Sequence, residues 1–125
     1  MSDLHPHTIT EQDERDLLAT AFEGGINYWA GKAEVISDPW PKGAEYASDV
    51  PSLGGRVELH YDDPHAGDDG DFTGRYVITD KQLRQGIRKA AAHRGLTARR
   101  FLDEADAESA DIAIQFMIFG EVVYG

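Results

Sequence analysis

Five aspartates fall within the ten residues 62–71: Asp62, Asp63, Asp68, Asp69 and Asp71, with His60 and His65 beside them. Carboxylate oxygens at this density are the hard ligands that calcium and magnesium take, and aspartate clusters can assemble two-metal sites for hydrolysis. The spacing departs from the calcium-loop frame because no glutamate closes it. Pro64, Gly67 and Gly70 are interleaved with the acids, so the same residues also read as a solvated Gly/Asp turn joining two strands.

A second set is basic. Lys81, Arg84 and Arg88 recur at i, i+3 and i+7, the spacing of one helix face, with Gln85 and Lys89 on the adjoining row. Guanidinium forks grip phosphates, and Tyr28, Trp29 or Trp40 could add a stacking surface for a base. Together they would hold a small nucleotide, such as a cyclic or dinucleotide signal. The plainer alternatives are cations paired with acids of the same chain and aromatics buried in a core. The helix–Gly95–helix arrangement, with Thr97 after the glycine, has the outline of a helix-turn-helix. Its second helix ends in Asp103-Glu104, however, and a formal charge of −11 repels DNA, so direct DNA binding is not expected.

Nucleophilic chemistry has no foothold. There is no cysteine, which removes thiolate catalysis, disulfides and thiolate metal sites, and none of the five serines sits in an elbow motif. Gly24-Gly25 and Gly54-Gly55 are isolated pairs, so no phosphate-loop or dinucleotide fingerprint exists, and no cofactor is expected. His5-Pro6-His7 brackets a proline with two metal-capable rings, but a chain terminus does not preorganise them. The balance of these residues points away from an enzyme.

The elements that must carry these groups follow from periodicity. Residues 1–9 read as a loose terminus, and residues 10–125 as a single domain. Thr10 caps a helix over about 11–23, with Glu11, Asp13 and Glu14 in its first turn and Gly24-Gly25 as a left-handed stop. Ile26–Ala30 alternates like a strand, with a bulge at Gly31 before Ala33–Ser37. Two prolines bracket Trp40, and the chain to Gly55 reads as a long loop of the kind that carries binding elements. Arg56–Tyr61 and Arg75–Thr79 form an antiparallel hairpin across the aspartate loop. A helix from Thr79 or Asp80 to about Arg94 is followed by a short one after Thr97. A last helix, Ala110–Phe119, is followed by a short edge strand at Val122–Tyr124. Asp111 and Gln115 form an i, i+4 polar pair on that helix, expected to be structural. The class is α+β, a small antiparallel sheet packed against about four helices.

Charge divides along the chain. Residues 1–80 carry 17 acids and 5 bases, residues 81–102 carry 7 bases and no acid, and residues 103–125 carry 6 acids and no base. An acidic body of this kind repels nucleic acid and anionic membranes and attracts basic partners. No apolar run approaches the length of a membrane span, and no secretory leader pattern opens the chain, so a cytoplasmic protein is expected. The last helix is apolar on nearly every side, with Ile112, Phe116 and Phe119 on one stripe and Ile114, Met117 and Ile118 around it. Such a helix needs cover all round, which predicts a homodimer through this helix or the Val122–Tyr124 edge.

Two stretches, Phe22-Glu23-Gly24-Gly25-Ile26-Asn27-Tyr28-Trp29 and the segment from Ala110-Asp111-Ile112 through Gln115 to Phe119-Gly120-Glu121-Val122-Val123-Tyr124-Gly125, together resemble small accessory proteins of phages and prophages, many of them actinobacterial. The resemblance covers residues 22–29 and 110–125 only and supplies no catalytic residue. It implies a phage protein acting in the cytoplasm of a bacterial host, where such proteins bind and block a host component of defence or nucleic-acid processing. The acidic body would then act by mimicking nucleic acid in a basic groove. The alternatives are a nucleotide sponge built on the basic segment 81–100 and a metal-dependent enzyme built on the Asp62–Asp71 loop.

Overall fold

Thr10 opens the first helix through a reciprocal cap. In the computed structural model, which describes residues 5–64 and 73–125, its Oγ1 accepts the Asp13 amide at 3.1 Å while Asp13 Oδ2 accepts the Thr10 amide at 2.8 Å. A cap of this kind contributes about 1 kcal/mol. Helix α1 spans Glu11–Thr20 and runs on into a π turn over Ala21–Gly25, closed by the Ile26 amide on the Ala21 carbonyl at 3.2 Å. The expected left-handed stop is absent, since neither Gly24 nor Gly25 has positive φ. Gly25 is needed for a different reason: a Cβ there would lie 2.8 Å from the Ala107 carbonyl oxygen.

The expected strand over Ile26–Ala30 is a turn, and β1 runs instead over Ala30–Val35. The alternation was real, but tertiary contacts decide it: the turn buries Ile26 and Trp29 together, which an edge strand would have faced oppositely. Strands β2 (Val57–Tyr61) and β3 (Gly74–Ile78) complete an antiparallel sheet in the order β1-β2-β3, with the predicted irregularity between Ala30 and Lys32. The ladders Val35–Val57–Ile78 and Ala33–Leu59–Tyr76 share one face. Lys32, His60 and Arg75, with Glu34, Glu58 and Val77, share the other. Helices lie against the apolar ladders, so the fold is α+β.

The predicted long loop is anchored rather than loose. Two short 3-10 turns, Ala47–Asp49 and Pro51–Leu53, bury Val50 between them. The Gly55 amide then closes back on the Val50 carbonyl at 3.0 Å. Helix α2 spans Asp80–His93, α3 spans Ala98–Asp103 under a Thr97 cap, and α4 spans Ala107–Phe119. Asp106 starts α4 three residues earlier than its apolar run suggests, accepting the Ser109 amide at 2.9 Å. Helices α2 and α4 cross at Gly86, where a Cβ would stand 2.7 Å from both the Ala113 carbonyl and Met117 Cβ.

Leu18, Trp29, Leu59, Ile78, Leu83, Ile87, Phe101 and Ile114 form the core. Helix α4 is enclosed only in part: Ala113 and Ile114 are buried, while Ile112, Phe116, Met117, Ile118 and Phe119 are half-buried. The edge strand expected at Val122–Tyr124 does not form, because the Gln115 side chain takes up its backbone groups. At the other end the terminus is tied down before residue 9. Ile9 is buried, and the Pro6 carbonyl accepts the Arg99 amide at 2.8 Å; residues 1–4 lie outside the described residues. Among the described residues no helix is long and apolar enough to cross a membrane.

Candidate functional site

The basic stripe is largely spent inside the molecule. Arg84 Nε lies 3.3 Å from Glu14 Oε1, linking α2 to α1. Arg94 donates to Ser109 Oγ at 2.8 Å, lies 3.6 Å from Glu108, and sits over the Phe101 ring. Arg99 bridges Asp13 and Asp103, and Arg100 pairs with Glu104. Lys81, Arg88 and Lys89 stay exposed on α2 and make no ion pair among the described residues. The predicted Lys81–Arg84–Arg88 face is therefore present, but its middle member is engaged with Glu14.

The aromatics assigned to it lie elsewhere. Trp29, on the turn before β1, is 1% exposed, and its Nε1 donates to Asp111 Oδ1 at 2.7 Å. Its ring stacks on Tyr124 at 5.5 Å, so it is a core residue and offers no face to a base. Tyr28 is exposed but donates its hydroxyl to Asp111 Oδ2 at 2.5 Å. Desolvation, then the carboxylate beside it, pushes this phenol up to about 12. Trp40 is 47% exposed and shares no stacking contact with Tyr28 or Trp29. None of the three meets Lys81, Arg84 or Arg88 through a hydrogen bond or cation–π contact.

The pair Asp111 and Gln115 turns out to be a hub. Gln115 Nε2 donates to Asp111 Oδ1 at 2.9 Å and to the Tyr124 carbonyl at 3.1 Å. Gln115 Oε1 accepts the Val123 and Tyr124 amides at 2.7 and 2.8 Å, and the Tyr124 hydroxyl donates to the Asp62 carbonyl at 2.6 Å. Every group is satisfied, which describes a lock between the C-terminal segment, α4 and the start of the sheet. Asp62 and Asp63 are described residues, whereas Asp68, Asp69, Asp71 and His65 lie outside them. Among the described residues no group of three or more metal-capable side chains comes together, and the rings of His5 and His7 lie 5.7 Å apart.

Two features escaped the sequence. Glu14 is wholly buried, and its Oε2 has no hydrogen-bond partner, so desolvation raises its carboxyl above the ordinary value against the pull of Arg84. It looks like any first-turn acid until the packing of α2 is known. The second is a cleft of about 490 Å³ between α1 with its π turn and the Tyr46–Asp49 segment. Asp16, Phe22 and Glu23 form one wall; Tyr46, Ser48 and Asp49 form the other. Only the placement of a loop in the predicted binding class hinted at it. No protein-family model, curated protein or solved structure matches the chain.

Proposed function

We propose that this protein is a non-catalytic phage accessory protein that binds and blocks a host component through its acidic surface, by resembling nucleic acid to a basic groove. The observation that carries the reading is the disposition of charge. Of the seven cations at 81–102, Arg84, Arg94, Arg99 and Arg100 are paired with acids of this same chain. The exterior is left with an acid excess in a protein of formal charge −11. Such a surface steers encounter with a cationic groove and repels nucleic acid itself. The immobilised protein, exposed to bacterial lysate, should retain a nucleic-acid-binding protein that duplex DNA displaces and rising salt releases. Retention of nothing, or of a partner indifferent to salt and DNA, overturns the reading.

A second reading keeps the exposed cations Lys81, Arg88 and Lys89 as a seat for a small anionic nucleotide. They are the part of the stripe without ion pairs among the described residues. A thermal shift with cyclic nucleotides that disappears in Arg88→Ala supports it, and a flat response removes it.

A further inference from the structure

The cleft beside α1 has a composition suited to one kind of occupant. Asp16, Glu23 and Asp49 line it against a single cation, Arg15. That cation is already occupied, with Nε on Ser52 Oγ at 3.2 Å and Nη2 at 3.8 Å from Glu11. Asp49 Oδ2 accepts the Glu45 and Tyr46 amides, each at 3.0 Å, which fixes this carboxylate at the wall. Tyr46 stands at the rim, 67% exposed, and half-buried Phe22 supplies an apolar surface beside it.

Ser48 gives an independent indication. Only 8% of its surface is exposed, it lines the cleft, and its hydroxyl makes no hydrogen bond among the described residues and opens to the cleft. That hydroxyl is free to pair with a donor arriving in the cleft. An anion would meet three carboxylates, and an apolar ligand would strip water from them without compensation. A guanidinium satisfies all of these groups together: its fork donates to carboxylates and hydroxyl, and its plane stacks on a tyrosine ring. The volume lies within the roughly 300–1,000 Å³ range of ligand-holding pockets.

We propose that this cleft seats an arginine side chain from a basic segment of the partner protein, between the carboxylates of Asp16, Glu23 and Asp49 and the ring of Tyr46. The proposal rests on the acidic-surface reading and adds the place where recognition is concentrated.

Titration calorimetry with a short arginine-rich peptide tests it on four proteins: the wild type, Asp16→Asn/Glu23→Gln, Tyr46→Ala, and a charge-matched control, Asp38→Asn/Glu121→Gln. The control residues are exposed and lie outside the cleft, so the two doubles lose equal charge. Binding should weaken roughly tenfold in the cleft double and severalfold in Tyr46→Ala, and the control should stay within about twofold of the wild type. Equal weakening in both doubles overturns the cleft and leaves the acidic-surface reading standing. Failure of the wild type to bind the peptide at all overturns both.

Discussion

Asp111 accepts hydrogen bonds from three side chains, those of Tyr28, Trp29 and Gln115, and it is the most heavily used carboxylate in the described structure. Asp111→Ala would leave the buried indole N–H of Trp29 without an acceptor and strip the Gln115 amide of one of its two. Equilibrium urea unfolding should show a loss of about 3 kcal/mol or more, since each stranded buried donor costs on the order of 1–3 kcal/mol. Glu14 makes a different prediction. Its carboxyl is raised, chiefly by burial, so its contribution to stability is complete below the ordinary value of 4.5 and is lost as pH rises through its native value. Asp13 and Asp106 behave oppositely. Asp13 is lowered despite its burial by the Thr10 amide and Arg99, and Asp106 is lowered by the Ser109 amide. Both contribute fully above 3.8 and lose that contribution only as pH falls below it, through their lowered native values. Unfolding midpoints measured from neutrality down to the ordinary carboxyl value should therefore show a gain from Glu14. Glu14→Gln, which keeps an acceptor for Arg84, should flatten that gain; an identical slope in both proteins would contradict it. The i, i+4 spacing of Asp111 and Gln115 made their pairing legible in the sequence. Their partners were not legible, because Trp29 and Tyr124 are distant in the chain and only the closed fold brings them to α4.

At the scale of elements, the periodic segments were legible and the aperiodic ones were not. Strands β2 and β3, helix α2 and the Thr10 and Thr97 caps follow from alternation and cap chemistry within one residue of their observed places. The turn before β1 and the segment after α4 both look like short strands in sequence, yet their backbone groups are claimed from elsewhere. Trp29 and Ala30 amides turn back to the Ile26 carbonyl, while Val123 and Tyr124 bind the Gln115 amide group. The cleft was invisible for a related reason: its two walls, residues 12–23 and 46–49, carry no shared motif. Gly86 shows how little a helix pattern reveals about its neighbour. Alanine there should gain up to ~1 kcal/mol of helix propensity but meets the Ala113 carbonyl, a backbone atom that cannot rotate away. Gly86→Ala should lose roughly 1–3 kcal/mol overall in urea unfolding, as overpacked helix contacts do, and a stabilised variant would mean that α2 and α4 separate readily.

For the whole molecule, the acid excess works against compactness, because like charges approach one another on folding. Added salt screens this repulsion within a Debye length of about 10 Å at 0.1 M, so the melting temperature should rise with sodium chloride at neutral pH. The same salt should weaken capture of a basic partner, so stability and binding ought to move in opposite directions. A melting temperature that falls with salt would mean that internal pairs such as Arg99 with Asp13 and Asp103 outweigh the net repulsion. The contrast between the two tryptophans has a practical consequence as well. Trp29 is enclosed between Tyr124, Phe119 and Tyr61, while Trp40 stands 47% exposed in the 38–55 loop. The protein thus carries two built-in optical reporters, one of its interior and one of its surface. Acrylamide should quench Trp40 and spare Trp29 in the native state. In Trp40→Phe the remaining emission should resist quenching until the chain unfolds, and in Trp29→Phe it should be open to quencher throughout.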